Sequence, residues 1–241
     1  MKDLLTKLSI TNKVKIINYL VLSLLFTITT LIPLTTSTAN ATPLPTDVPE
    51  HVLNIGTSDG ILNSPQDITT DSSGNVYVVD IDTNRIQKFD SNGTFLAKWG
   101  SNGSADGQFN DPRSITTDSS GNVYVVDTYN YRIQKFTSTG TFLAKWGTSG
   151  SADGEFSYPS GITTDASGNV YVTDMGNNRI QKFDSTGTFL AKWGTYGSAD
   201  GEFQSPYGIT TDSSGNVYVA DSGNDRIQKF NLPVLSNQMG Q

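Results

Sequence analysis

Four aspartates in this sequence each stand five residues before an arginine, a spacing that suits either cation binding or ion pairing. The pairs are Asp80 and Arg85, Asp127 and Arg132, Asp174 and Arg179, and Asp221 and Arg226. Carboxylates can hold a cation, but an arginine beside each one can neutralise it. Because the pair recurs at the same place in every copy, we interpret it as a structural ion pair and predict no metal-binding residue.

The sequence contains few residues of the types that catalyse reactions by other means. The chain has one histidine, His51, and no cysteine, so it offers neither an imidazole cluster nor a thiolate nucleophile or metal ligand. The stretch "DIDTN" (80–84) begins like a calcium loop but lacks the glycine and glutamate that such a loop requires. We therefore predict no catalytic residue and no cofactor.

Tyrosines suggest recognition instead. Five of them depart from an otherwise repeated sequence: Tyr129, Tyr131, Tyr158, Tyr196 and Tyr207. Tyrosine supplies a large contact area and a hydroxyl at a small cost in rotamer entropy, which suits binding of a protein or glycan. We add Arg113 as a sixth candidate ligand-binding residue. The alternative is that loops drift in sequence and tolerate tyrosine at a surface rim.

The elements that position these residues come from a repeat. The stretch "DSSGNVYVVD" (71–80) returns at 118–127 and, slightly changed, at 165–174 and 212–221. Each copy holds four short runs typical of strands. In the second copy these are 114–118, 122–127, 132–136 and 141–147. Tight turns such as "DSSGN" join them, so each copy predicts a four-stranded antiparallel meander.

Both faces of each predicted sheet need burial. Ile133 and Phe136 fall on opposite sides of a strand with a two-residue period. Sheets buried on both sides and repeated along the chain predict the blades of an all-β propeller. Trp99, Trp146 and Trp193 share one position, which we expect to lie between blades.

Sequence differences between the copies gather at one end of the predicted blades. The loops after the second strand read "IDTN", "TYNY", "MGNN" and "SGND". The two residues after a repeated proline also differ, being Gln66 and Asp67, Arg113 and Ser114, Ser160 and Gly161, and Tyr207 and Gly208. All five tyrosines map to this end, which makes it the predicted binding face.

The fourth copy lacks its last strand, and "HVLNIG" (51–56) resembles that strand with Ile55 in place of tryptophan. We therefore predict four four-stranded blades closed by the N-terminal strand, which would hide two sheet edges. An open arc whose edges pair with another chain is the alternative.

The stretch Tyr158 to Gly187 resembles the NHL repeat, with its Pro-x-Gly, Tyr-Val-x-Asp and Asn-x-Arg-Ile-x-x-Phe elements. The resemblance covers residues 60–230 and implies a propeller, although NHL propellers usually have six blades. Some similar propellers are lyases that use metal-bound histidine, or lactonases that use carboxylates. The repeat also resembles the NHL modules of tripartite-motif proteins, which bind RNA or other partners.

The N-terminal part differs from the repeats. Lys2, Lys7, Lys13 and Lys15 precede an apolar run, and "ANA" (39–41) fits signal-peptidase cleavage. We predict a signal peptide or membrane anchor at 1–41, a Pro-rich spacer at 42–50, the propeller at 51–230 and a tail at 231–241. Beyond residue 41 the chain has 12 basic and 22 acidic residues, which disfavours nucleic acid as a partner.

These observations predict a secreted or cell-surface NHL-repeat propeller that binds a protein or glycan through its variable face without catalysis. A metal-dependent lyase or lactonase that uses carboxylates on that face is the alternative. We expect membrane association only if the N-terminal segment stays uncleaved. Oligomers could form by pairing of sheet edges.

Overall fold

The computed structural model describes residues 51–56 and 60–231. The chain divides into two units after His51, and the strands of the described residues lie in the second unit. The predictions for the export signal or anchor, for the spacer and for tail residues 232–241 concern residues outside this description. In the described ranges, no helix is long and apolar enough to cross a membrane.

Four antiparallel sheets follow one another along the chain. Blade 1 contains β1 (Pro65–Thr70), β2 (Val76–Asp80), β3 (Arg85–Phe89) and β4 (Phe95–Trp99). Blade 2 contains β5 (Pro112–Thr117), β6 (Val123–Asp127), β7 (Arg132–Phe136) and β8 (Phe142–Trp146). Blade 3 contains β9 (Pro159–Thr164), β10 (Val170–Asp174), β11 (Arg179–Phe183) and β12 (Phe189–Trp193). Blade 4 contains β13 (Pro206–Thr211), β14 (Val217–Asp221) and β15 (Arg226–Phe230).

A short 3-10 helix lies in each predicted loop between the second and third strands of a blade. The four helices span Ile81–Thr83, Thr128–Asn130, Met175–Asn177 and Ser222–Asn224. The next residue in each case adopts a left-handed backbone, and these residues are Asn84, Tyr131, Asn178 and Asp225. The helix reverses the chain so that Asp127 faces Arg132 across the strand pair, with equivalent pairing in the other blades.

The core of the protein lies between blades. Trp99 of blade 1 packs against Phe136 of blade 2 with ring centroids 5.9 Å apart. A Cβ atom on Gly140 would lie 2.7 Å from the Trp99 ring, and Gly140 has φ +87°. Gly140 is therefore required for two reasons. Its backbone has a positive φ, and a side chain would collide with the Trp99 indole. Blades 2 and 3 repeat the arrangement through Trp146, Phe183 and Gly187.

The inner strands join neighbouring blades by a repeated hydrogen bond. The Thr117 hydroxyl donates to the Thr70 carbonyl at 2.9 Å. Thr164 donates to Thr117 in the same way, and Thr211 donates to Thr164. Each bond spans 47 residues, the period of the sequence repeat, so three junctions are built alike.

The all-β architecture of four propeller blades agrees with the prediction, but the N-terminal segment does not complete blade 4. Within the part of the chain that the structure describes, that blade has three strands, ordered β13, β14, β15, and residues 51–56 belong to no strand. Instead, Leu53 and Ile55 lie beside Gly93 in the last turn of blade 1. Ile55 thus lies beside the last turn of blade 1 as Trp99 lies beside that of blade 2, and the strand order of blade 4 ends at β15.

The first turn of each blade is held by an aspartate. In blade 4, Asp212 accepts hydrogen bonds from the backbone N–H groups of Ser214 and Asn216, each at 2.9 Å. It also accepts from the Asn216 side chain at 2.7 Å and from the Tyr218 hydroxyl at 3.0 Å. These bonds, led by that of the Asn216 side chain, lower the pKa of Asp212 to about 2.

We expect part of the free energy of unfolding to be lost as the pH falls from about 4 to about 2. The reason is that Asp212 takes up its proton in the unfolded chain, near the ordinary pKa of 3.8, before it does so in the folded chain. Asp212→Asn removes this titration, so its stability should decline less over that interval. Urea unfolding at a series of pH values measures the difference.

Asp200→Asn provides the control, because the Asp200 side chain is fully exposed. Its stability should follow pH as the unmodified protein does. The assigned role of Asp212 is wrong if both variants show the pH dependence of the unmodified protein.

Candidate functional site

The variable end of the blades is built where each 3-10 helix meets the entry to the next blade. A residue with a left-handed backbone follows the helix, and another stands just before the proline of the next inner strand. In the junction between blades 1 and 2 these are Asn84 and Asp111, and the Asn84 side chain accepts a hydrogen bond from the Asp111 N–H at 3.0 Å. Asn178 and Ser205 repeat this bond at 2.9 Å.

In the junction between blades 2 and 3, tyrosines stand where the other junctions have this asparagine and its hydrogen-bond partner. Tyr131 has φ +54° and Tyr158 has φ +50°, at the positions of Asn84 and Asp111. Their rings meet edge to face with centroids 5.9 Å apart, and Tyr129 contacts Tyr158 at the same distance. Tyr129, Tyr131 and Tyr158 form what we call the tyrosine cluster. The proximity of Tyr158 raises the pKa of the Tyr131 hydroxyl.

The backbone at Tyr131 is unfavourable for the residue it carries. Asparagine tolerates the left-handed conformation because its short side chain can form local hydrogen bonds, whereas most other residues are strained there. Strain of this kind is often retained where a side chain has a function. The tyrosine cluster therefore replaces a stabilising asparagine with aromatic surface, since Tyr129 and Tyr158 are both exposed.

A central cavity of about 300 Å³ is lined by inner-strand residues from all four blades. Its variable side chains include Gln66, Asp67, Arg113, Ser114, Ser160 and Tyr207. All six occupy one of the two positions after the repeated proline, where the copies differ in sequence. The Gln66 amide donates to the Tyr207 hydroxyl at 3.2 Å and so links the first and last blades.

Arg113 lines the cavity and lies near Tyr129 of the tyrosine cluster. Its Nε donates to Asp111 at 2.8 Å. Partial burial opposes the charge of Arg113, but Asp111, followed by Tyr207 and Tyr129, favours it, and the net result is a raised pKa. Arg113 therefore stays charged beside both tyrosines. Its two terminal nitrogens form no hydrogen bond within the described residues.

Asp67 is a cavity residue that we did not select from the sequence. Its carboxylate accepts hydrogen bonds from the Ser114 hydroxyl at 2.6 Å and from the backbone N–H groups of Ile115 and Ile68 at 2.9 and 2.8 Å. Serine or glycine stands at this position in the other copies. That difference was the available signal, and the structure shows that Asp67 joins blades 1 and 2.

The six predicted site residues thus separate into groups. Tyr129, Tyr131 and Tyr158 form the tyrosine cluster, while Arg113 and Tyr207 line the cavity beside it. Tyr196 lies apart, in the loop after β12, where it forms an isolated bridge with Phe203 and is 71% exposed. No ring contact among the described residues involves Tyr196.

The recurring aspartates are part of the framework. Asp127 is fully buried, and its Oδ2 accepts from Arg132 Nε at 2.7 Å and from the Gln134 amide at 3.0 Å. Its Oδ1 accepts from the Asn110 N–H at 2.7 Å. Burial raises the pKa of Asp127, against the opposing effect of these donors. Equivalent Asp–Arg pairs occur in the other three blades, so the interpretation as ion pairs agrees with the structure.

Comparison with protein families identifies the NHL repeat at residues 62–89, 109–136, 156–183 and 203–230. No curated protein sequence is significantly similar to the chain.

Solved structures share the fold. A streptogramin B lyase has 19% identity and a TM-score of 0.51, over 70% of this chain and 55% of that one. A catalytically inactive virginiamycin B lyase from Staphylococcus aureus, with quinupristin, has 21% identity and a TM-score of 0.53, over 71% and 56%. A protein of unknown function from Bacteroides thetaiotaomicron has 21% identity and a TM-score of 0.54, over 68% and 46%. The chain thus spans about half the length of these proteins, and such identities establish the fold alone.

We expect Arg132→Met to lower the free energy of unfolding by about 3 kcal/mol, because it leaves the buried Asp127 carboxylate without its counter-ion. Lys145→Met is the matched control. It removes an exposed ion pair with Asp106 and should change stability by no more than about 0.5 kcal/mol. Urea unfolding measures both changes, and equal losses would contradict a framework role for the Asp127 pair.

Tyr131→Asn should raise the free energy of unfolding by about 1 kcal/mol, because asparagine fits the left-handed backbone better than tyrosine. The reverse exchange in the next blade, Asn178→Tyr, should lower it by a similar amount, since it also removes the bond to Ser205. Chemical denaturation of both variants tests the strain. A less stable Tyr131→Asn protein would show that the tyrosine is the better residue at this site.

Proposed function

Because this chain is an NHL-repeat β-propeller protein, we propose that it is a non-catalytic binding module that holds a glycan at its variable end, outside the cytoplasm. The observation that carries the proposal is that Arg113 lines the central cavity and also lies near Tyr129 of the tyrosine cluster. The polar and aromatic groups that depart from the repeat meet there, on a framework that is otherwise the same in every blade.

The chemistry of the site suits a sugar. Tyr129 and Tyr158 expose aromatic surface, on which the apolar face of a sugar ring can pack. The cavity supplies an amide, a guanidinium group and hydroxyls from Gln66, Arg113 and Tyr207, which can hydrogen-bond to sugar hydroxyls. Its volume of about 300 Å³ is at the small end of ligand pockets and matches a short glycan.

An exterior location is supported by the sequence of the first 41 residues. The basic leader, the apolar run and the small residues at 39–41 fit an export signal or a membrane anchor. The acidic balance of the remaining chain disfavours phosphate backbones as ligands. A cell-surface or secreted glycan-binding role agrees with both features.

The metal-dependent lyase or lactonase has less support. Asp67 is the carboxylate among the residues that line the cavity, and both of its oxygens already accept hydrogen bonds. Groups of three or more histidine, cysteine, aspartate or glutamate side chains suited to a metal ion do not occur in residues 51–56 and 60–231. The carboxylate set that this alternative requires is therefore not assembled there.

We expect the purified protein to bind a subset of glycans on an array, and Tyr129→Ala to weaken binding of the best ligand by about tenfold, the loss of one good aromatic contact. Isothermal titration with that glycan measures the change. The melting temperature should move by no more than a few degrees, because the Tyr129 side chain is exposed.

Tyr196→Ala is the matched control, since it makes the same chemical change at an exposed tyrosine outside the cluster. Its affinity should stay within about twofold of the unmodified protein. Absence of glycan binding would refute the proposal, and so would an equal loss of affinity in both variants.

A further inference from the structure

The inner strand of blade 1 leaves apolar surface exposed. Ile68 in β1 is 62% exposed, whereas the equivalent Ile115 and Ile162 are 3% and 5% exposed. An apolar groove lies along this face, lined by Ile55, Leu62, Ile68, Val76 and Val78 among others. In blades 2 and 3 the corresponding face is covered by the preceding blade.

Blade 4 exposes the opposite face. Ile227 in β15 is 66% exposed, while Ile86, Ile133 and Ile180 at the same position are fully buried. A second groove runs over this face and is lined by Ile209, Tyr218, Ala220 and Ile227 among others. The same "RIQKF" sequence is thus buried in three blades and open in the fourth, which no further blade covers within residues 51–56 and 60–231.

These two faces are the two halves of a junction that the chain already forms three times. In the junction between blades 1 and 2, Tyr77, Val79 and Ile86 pack with Ile115, Val123 and Val125. In the repeat, Tyr218, Ala220 and Ile227 of blade 4 are equivalent to Tyr77, Val79 and Ile86. Likewise, Ile68, Val76 and Val78 of blade 1 are equivalent to Ile115, Val123 and Val125. The two open faces therefore carry residues at the positions of one complete junction, with Ile68 and Ile227 exposed and Val78 already buried.

The segment 52–56 is placed for the same junction. A Cβ atom on Gly56 would lie 2.8 Å from Leu62, just as one on Gly100 would lie 2.7 Å from Phe109. Ile55 packs beside Gly93 as Trp99 packs beside Gly140. The segment therefore occupies the position of the outer strand of a blade preceding blade 1. The third strand of such a blade is not present in the described residues.

We propose that a second copy of this chain supplies that strand. Blade 4 of one copy packs on blade 1 of the other through the junction used within the chain, and segment 52–56 of each copy lies along β15 of its partner. The Thr70 hydroxyl donates to the Thr211 carbonyl of the other copy, a bond that is absent between these two residues in the described chain.

A second copy fits better than an unrelated partner, because the open face of blade 4 is complementary to the open face of blade 1 and every copy carries both faces. The contact is head to tail, since two different faces meet, and such contacts either close into a ring or continue as a filament. Two copies bring together about eight blades, within the usual range for closed propellers. Closure hides both open faces and the unpaired edge of β15. The exposed Gln66–Tyr207 hydrogen bond, which links blades 1 and 4 within a copy, contributes less free energy than the burial of two apolar faces.

Light scattering coupled to size-exclusion chromatography tests the proposal. The purified protein should have twice the mass of one copy, and Ile227→Glu should reduce it to the mass of one copy. Ile227→Glu should keep its circular dichroism spectrum and melt cooperatively, because the side chain is largely exposed within one copy.

Leu143→Glu is the control, since Leu143 is 47% exposed on outer strand β8, away from the open faces. It should keep the mass of two copies. The proposal is overturned if the unmodified protein has the mass of one copy or of three or more, or if both variants change the mass equally.

Discussion

The apolar side chains of a blade are buried on both of its faces where another blade packs on each face. Ile133 and Phe136 lie on opposite faces of one strand, and both are fully buried. Ile227 has the same local sequence but remains open to solvent. The apolar core is therefore a property of the junctions, as in other repeat proteins in which each unit contacts only the next. The fold, its two exposed faces and the freedom of its variable end all follow from this constraint.

Because the junctions hold the core, the variable end can change its side chains without changing its backbone. A buried aspartate in each blade accepts a backbone N–H from the segment that enters the same blade, for example Asn110 N–H on Asp127 and Ser157 N–H on Asp174. An arginine and a glutamine hold that aspartate in place. The 3-10 helix can therefore end in asparagine, aspartate or tyrosine with the same backbone angles.

The repeat pattern was enough to predict the strands, because two-residue periodicity and tight turns are local signals. It placed the inner strand of blade 2 at 114–118, whereas β5 spans Pro112–Thr117. The difference comes from an irregularity in pairing between Pro112 and Ser114, which no short pattern encodes. Similarity of "HVLNIG" to the outer strand predicted that this segment completes blade 4, whereas the structure places Leu53 and Ile55 beside Gly93 of blade 1. Whether β15 of the same chain reaches that place depends on the angle between blades, which is set by the packing of side chains such as Trp99 and Phe136.

The candidate site could be predicted only where a copy departs from the others, and the departures are of two kinds. Asp67 and Thr173 replace smaller or apolar residues, but each is compensated, since Asp67 binds Ser114 and Thr173 donates to the Tyr207 carbonyl at 2.8 Å. Such changes belong to the framework. Tyr131 loses the asparagine cap and keeps the strained backbone, and what it gains is a contact with another variable tyrosine. An uncompensated departure is difficult to explain by folding, so the tyrosine cluster is the part of this end that function best explains.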